Sequence, residues 1–222
     1  MPHPAARASF GRRLRGWYRT HARDLPWRNT RDPYRVLVSE LMLQQTQVSR
    51  VLDYYARFLQ RFPTLEHLAA ARPGRVMEAW DGLGYYARAR NLHQLARRVT
   101  RDGSAGVLPS EPLELRKLPG IGPYTAGAIA SFAYERRAAA VDTNVARVLA
   151  RVFAPHLNPK RPRDLARLWM VAEWLLPRTG KAVWEHNQAV MELGAVVCTA
   201  RVKRCGQCPV SAGCRTYRAD RR

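Results

Sequence analysis

Four cysteines, Cys198, Cys205, Cys208 and Cys214, fall in the last 25 residues with the spacing C-x6-C-x2-C-x5-C. Four thiolates this close along a chain can converge on one centre. The N-terminus through Arg23 is Arg-rich and has no apolar secretory core, so disulfides are disfavoured. A structural zinc is one candidate guest. Zinc sites, however, usually present two short Cys pairs, and this chain has one. A [4Fe–4S] cube needs a thiolate at each of four corners, and a compact loop with a single short pair can wrap it. The spacing favours iron–sulfur and leaves zinc open. Arg201, Lys203, Arg204 and Arg215 decorate the loop, either as a phosphate-contacting edge or as an ordinary solvated surface.

A second chemical feature is Leu118-Pro119-Gly120-Ile121-Gly122. Two glycines two apart allow a tight turn whose backbone N–H groups point at one spot. Beside the start of a helix, such a nest binds phosphate. An ordinary turn between helices would read the same way. Asp142 follows in Val141-Asp142-Thr143-Asn144-Val145, where an N-cap is its plainest role.

Charge adds a partner. Lys and Arg number 38 against 17 Asp and Glu, a formal +21. The basic residues recur along the whole chain, which suits a polyanion, and nucleic acid first. A membrane surface fits less well, because no long basic helix carries a bulky apolar face. No apolar run approaches the ~20 residues that span a bilayer. At 46% hydrophobic, the chain has the apolar share of a folded domain rather than a disordered one. The expectation from composition is an intracellular, soluble protein that binds nucleic acid.

The elements that must hold these residues read as helices. Phe10, Leu14, Trp17 and Tyr18 share one helix face. Asp32-Pro33 is an N-cap followed by proline at the first helical position, and the helix it opens carries Val36, Leu37, Glu40 and Leu41. Val48, Val51, Leu52, Tyr55 and Leu59 mark the next, which ends before Pro63. Further helices are predicted over 64–71, 75–80, 86–101, 111–117, 124–133, 144–153, 163–176 and 184–197. No stretch has a convincing period of two. The Asp-Gly pairs at 81–82 and 102–103 sit between helical patterns rather than in hairpins. The predicted fold is all-α, with many short helices.

Taken together, these motifs resemble the helix-hairpin-helix DNA glycosylase superfamily: an L-P-G-I-G hairpin, an aspartate twenty residues on, and the superfamily's iron–sulfur spacing. Within it the chain resembles the adenine DNA glycosylases of the MutY family. The segments that carry this likeness are Leu25-Pro26-Trp27-Arg28, Val38–Val48 with its Ser-Glu-Leu-Met-Leu-Gln-Gln-Thr core, Gly82–Leu92, and Asn187–Ala195.

The resemblance implies a two-lobed fold with DNA in the cleft between the lobes. A six-helix barrel would span 29–138, and an iron–sulfur lobe would join 1–28 to 139–222. It implies a [4Fe–4S] cluster on Cys198, Cys205, Cys208 and Cys214. Its substrate would be double-stranded DNA with a mismatched or damaged base. It makes Glu40 the catalytic acid, Asp142 the sugar-facing carboxylate, and Tyr124 and Asn144 their supports. Arg28 would lie at the adenine pocket. Gln45 and Tyr85 would belong to segments that enter the base stack, and Gln44 would be a DNA-binding residue. Gly120, Gly122, Lys203 and Arg204 would contact the DNA backbone.

The implied chemistry needs two carboxylates. Breaking a deoxyribosyl–adenine bond leaves an oxocarbenium-like sugar and an anionic purine, so one group protonates the base while another faces the sugar. A Glu40 flanked by Leu37, Leu41, Met42 and Leu43 would be buried and could keep its proton. The target base must first leave the stack.

Superfamily members that also cut the strand carry a lysine two residues after the hairpin's final glycine. Here Tyr124 stands there, so the expected enzyme is monofunctional. Asp142-Thr143-Asn144 departs from the family's Asp-Gly-Asn. The chain stops eight residues after Cys214, where typical members continue into a NUDIX-like domain that recognises 8-oxoguanine. Discrimination between A·G and A·8-oxoguanine is therefore expected to be weak. Two rival readings remain: a thymine or uracil glycosylase acting at G mismatches, which Tyr124 permits, and a catalytically silent binder of damaged DNA.

Overall fold

A computed structural model describes residues 3–101 and 106–221. In chain order the helices are α1 (Pro4–His21), α2 (Pro33–Leu43), α3 (Val48–Arg61), α4 (Leu65–Ala70), α5 (Pro73–Trp80), α6 (Ala87–Arg101), α7 (Pro112–Leu115), α8 (Pro123–Phe132), α9 (Thr143–Phe153), α10 (Pro162–Leu175), α11 (Gly180–Val196) and α12 (Arg215–Ala219). Short 3-10 turns occur at Pro26–Arg28, Cys205–Gln207 and Ser211–Gly213. Among the described residues, β pairing is limited to one isolated bridge, Cys198 to Lys203. No helix among them is long and apolar enough to cross a membrane. The fold is all-α, as the periodicity predicts. The Asp-Gly at 102–103 lies outside the described residues.

Local chemistry sets the helix starts. Six helices (α1, α2, α5, α7, α8 and α10) open with proline in the first two positions, where its missing N–H has no partner to lose. Asp32 caps α2 by accepting from the backbone N–H of Tyr34 at 2.8 Å. Asp142 caps α9 by accepting from Val145 N–H at 2.7 Å. Two features differ from the sequence-based expectation. Helix α11 begins at Gly180 rather than 184, and α12 follows the last cysteine with only five residues, too few for periodicity to reveal.

The chain forms two compact units: residues up to Arg23 with those from Glu135 onward, and Asp24–Tyr134. These limits differ by a few residues from 28/29 and 138/139. The Pro26–Arg28 turn joins the second unit because Trp27 packs edge-on against Tyr55, ring centroids 5.4 Å apart. Ala138 joins the first because its carbonyl accepts from Asn187 Nδ2 at 2.8 Å.

In unit 24–134, α2 is buried along most of its length, at Tyr34 and from Val36 to Met42. A helix hidden on all sides must be apolar on all sides, which is why Glu40 stands out within it. Around it lie Val51, Tyr55 and Phe58 of α3, Trp80 of α5, Leu92 and Leu95 of α6, and Ile129 of α8, all buried. On α3 the fully buried side chains are Val51 and Phe58, with Leu52 and Leu59 only half-buried. Each fully buried Leu, Val or Phe is worth roughly 1.5–3 kcal/mol against exposure.

In the other unit, α1 lays Phe10, Leu14 and Tyr18 into a core with Val148 and Leu149 of α9, Leu168 of α10 and Leu193 of α11. Just past α1, the Arg23 guanidinium donates to both oxygens of Glu192, at 2.7 and 2.8 Å. Glu192 has no exposed surface, and a two-pronged pairing of this kind is what makes a buried carboxylate tolerable.

Candidate active site and cluster loop

Glu40 lies on α2 with 4% of its surface exposed. Tyr124, in the first turn of α8, donates its hydroxyl to Glu40 Oε2 at 2.7 Å. One turn further along α2's line, Gln44 Nε2 donates to Thr125 Oγ1 at 3.4 Å. The start of α8 thus fixes the end of α2, and the carboxyl's rotamer is set by the tyrosine.

Helix α8 is presented by the glycine turn. Gly120 has φ +75°, and a Cβ there would stand 2.7 Å from Asn91 Cβ on α6. Glycine is therefore required at this position both by conformation and by space. Gly122 has φ −87° and open space where a Cβ would go, so its glycine answers neither need. No side chain caps α8 at Gly122, which leaves a helix start suited to an anion.

Asp142 belongs to the other unit. Its Oδ1 accepts from Val145 N–H, and its Oδ2 accepts from Asn144 Nδ2 at 2.8 Å. Burial pushes the Asp142 pKa up, against the N–H groups of Val145 and Asn144 and the positive Arg147, which pull it down. Asn144 is held in turn: Arg147 Nη2 donates to its Oδ1 at 2.8 Å and to Gly194 O at 2.8 Å. Arg147 Nε donates to Cys198 O at 3.0 Å. Gly194 permits this approach, since a Cβ there would lie 2.7 Å from Asn144 Cβ.

Hydrogen bonds therefore run from Asp142 through Asn144 and Arg147 to the first cysteine. One turn on, Arg151 Nη1 donates to Thr199 O at 2.7 Å and approaches Cys198 Sγ at 3.3 Å. The four cysteines line one pocket, with Val148, Val152, Leu193, Val197 and Tyr217 among its other walls. Burial raises the Cys208 thiol to about 11, and the neighbouring cysteines add to the rise. Burial thus favours the neutral thiol at Cys208 and Cys214.

The remaining expected site residues are dispersed. Arg28 ends the Pro26–Arg28 turn and is half-buried. Lys203 pairs with Asp220 at 2.6 Å, and Arg204 Nη1 donates to Val196 O at 2.6 Å, so both also brace the cluster loop. Gln45 and Tyr85 sit on two loop tips with positive φ, +56° and +47°. Tyr85 is 60% exposed.

Arg147 and Arg151 escaped the sequence reading, and Arg88 entered it only as part of the Gly82–Leu92 segment, with no role of its own. In a chain with 34 arginines a structural one carries no mark of its own. The available signal for Arg147 was its place three residues after Asn144 on a helix.

Comparison with known proteins identifies the family. The pattern of the family described as "HhH-GPD superfamily base excision DNA repair protein" matches residues 38–171. The mouse adenine DNA glycosylase is 44% identical over 96% of this chain. That of Mycolicibacterium smegmatis is 46% identical over 89% of it. The chain spans 43% of the mouse protein's length and 66% of the mycobacterial one's. A solved thermostable thymine-DNA glycosylase superposes with a TM-score of 0.87 at 30% identity, covering 97% of this chain and 98% of that one. Helices arranged around the glycine turn and a family match over more than half its residues agree: this chain belongs to the HhH-GPD superfamily of base excision DNA repair proteins.

Proposed function

We propose that the protein removes adenine mispaired with guanine or 8-oxoguanine, hydrolysing the N-glycosidic bond and leaving the strand intact. The observation that carries this reading is the buried Glu40 with Tyr124 hydrogen-bonded to its Oε2. Glu40 gives its proton to a ring nitrogen of the extruded adenine. The C1′–N9 bond then breaks, with its electron pair leaving on the base. Asp142 stabilises the positive sugar or adds to C1′ briefly, and water finally supplies the hydroxyl of the abasic product.

Each Asp142 oxygen already accepts one hydrogen bond, which fixes the carboxylate in place before the sugar becomes cationic. That is stabilisation by preorganisation. Tyr124 stands where a Schiff-base lysine would be needed, so no lyase step follows. DNA is recognised by the α8 start, the glycine turn and the Arg-rich surface, with the protein working as a monomer in the cytoplasm on nucleoid DNA.

The four cysteines fit a [4Fe–4S] cluster. They are all soft sulfur donors and share one pocket wall. When bound, the cluster supplies a rigid crosslink among four points of the loop.

A thymine or uracil glycosylase acting at G mismatches is the second reading. The likeness to the thymine-DNA glycosylase structure favours it. The higher identity to adenine glycosylases favours the first. Incubating the protein with duplexes carrying A·G, A·8-oxoguanine, T·G and U·G, followed by alkali, separates them. Alkali-dependent cleavage at A supports the proposal, and cleavage at T or U opposite G overturns it.

A further inference from the structure

We propose that Arg88 is a positioning residue that holds the two loop tips Gln45 and Tyr85 in register for entry into the base stack. This rests on the DNA-opening reading above and adds a residue that itself touches neither base nor sugar.

Arg88 is only 7% exposed. Its Nη1 donates to the carbonyls of Leu41 and Met42 at 2.8 Å and of Gln44 at 2.5 Å. These carbonyls close α2, where no intrahelical N–H remains to satisfy them. Its Nη2 donates to Thr46 Oγ1 at 3.2 Å, Leu83 O at 3.3 Å and Gly84 O at 3.0 Å. Nε reaches Tyr85 O at 3.4 Å. The guanidinium also lies 5.5 Å from the Trp80 ring centre and 5.4 Å from that of Tyr85. One planar cation therefore grips both loops. The negative end of the α2 dipole favours its charge.

Both gripped loops carry a non-glycine residue in the left-handed region, Gln45 and Tyr85. L side chains avoid that conformation unless their surroundings impose it. The surroundings here are built for that. Trp80 Nε1 donates to Gly84 O at 3.2 Å, Arg50 donates to Gly82 O, and Tyr86 donates to Asp81 at 2.6 Å. Only Arg88 links the loop at 44–46 to the loop at 83–85 among these contacts. A simple cap of α2 would need the Leu41 and Met42 bonds alone. The bonds to Thr46, Leu83, Gly84 and Tyr85 are what a spacing device adds. Lysine cannot replace it, because one ammonium cannot span both sets of acceptors.

The test uses Arg88→Lys and the milder Thr46→Val, which removes one acceptor and keeps the guanidinium. Two duplexes carry the same mismatched adenine, one fully stacked around it and one with unpaired neighbours that open the stack in advance. A third carries 2-aminopurine beside the mismatch, whose fluorescence rises on unstacking and needs no excision. Arg88→Lys should slow single-turnover excision on the stacked duplex by about tenfold or more, equivalent to about 1.4 kcal/mol. It should stay within about threefold of wild type on the pre-opened one. Its 2-aminopurine signal should be weakened, and Thr46→Val should shift in the same direction by less.

Equal slowing on both duplexes, as a merely loosened fold would give, overturns the proposal, and so does a wild-type rate on the stacked duplex. If the wild-type protein releases thymine or uracil instead of adenine, the functional reading fails alone, because the fluorescence comparison still judges Arg88. A wild-type protein that binds with no rise in 2-aminopurine fluorescence overturns the role of both loops. Should Arg88→Lys fail to fold, Thr46→Val decides by the same ratio.

Discussion

Replacing Arg147 by Met keeps an unbranched stem of similar bulk up to the Nε position and removes its three closest hydrogen bonds, to Asn144 Oδ1, Gly194 O and Cys198 O. Bonds from a charged donor contribute about 1.5–3 kcal/mol each when buried. Arg147 is only half-buried, so water can re-solvate part of what is lost, and burial already disfavours its charge. A net destabilisation of about 2–4 kcal/mol is the result, well below the sum of three full bonds. The effect on chemistry should be separate. Asn144, released from Arg147, no longer holds Asp142 Oδ2, and a misplaced catalytic group costs about 10²-fold. Urea melts measure the first effect. Single-turnover base excision at saturating enzyme, where every chain remains folded, measures the second. Arg147→Lys should recover the charge but little of the excision rate. A Met variant with wild-type excision and wild-type stability would refute the coupling of Asp142 to the cluster loop.

His186 is buried beside Phe10 and its pKa is lowered to about 3, first by burial and then by Arg15 and Arg7. The unfolded chain binds that proton near pH 6.5 and the folded chain does not. Stability should therefore be full above pH 6.5 and fall by about 1.4 kcal/mol per pH unit between 6.5 and 3; chemical melts of wild type and His186→Phe should diverge over that window and run parallel above it. Gly120→Ala places a Cβ 2.7 Å from Asn91 at φ +75° and should cost about 1–3 kcal/mol, with weaker DNA binding by gel shift. Anaerobically purified protein should be yellow-brown with about four irons per chain, and Cys205→Ser should lose both; stoichiometric zinc without colour would contradict the cluster assignment.

The helices were legible because proline and capping aspartates punctuate them and because their apolar residues repeat at helical spacing. Pro33, Pro73, Pro112, Pro123 and Pro162 each stand at a helix start. The short α12 was not legible, since five residues carry no period. Glu40 and Asp142 could be found by motif, and burial of Glu40 by its apolar flanks. The N-capping geometry of Asp142 could also be expected from its place before a helix. What the sequence concealed is how the polar groups are wired. That Arg147 ties Asn144 to Cys198, and that Arg88 grips two loops, depends on distances between segments about 40–50 positions apart in the chain. In so Arg-rich a chain, pattern does not distinguish Arg147 from an exposed arginine such as Arg13, and the Gly82–Leu92 segment that contains Arg88 does not say what that side chain grips. Gly194 likewise reads as an ordinary helix interruption until Asn144 is seen against it.

The central claim is that Glu40 protonates an adenine leaving group. Its most direct test is single-turnover release of the base from an A·G duplex by wild type and Glu40→Gln, with duplex affinity measured in parallel. Glutamine is nearly the same shape, accepts the Tyr124 hydroxyl as the carboxyl does, and has no proton to give. The account predicts free adenine from the wild type, and from the variant unchanged binding with release slowed by at least ~10²-fold. Near-wild-type release by Glu40→Gln would contradict it.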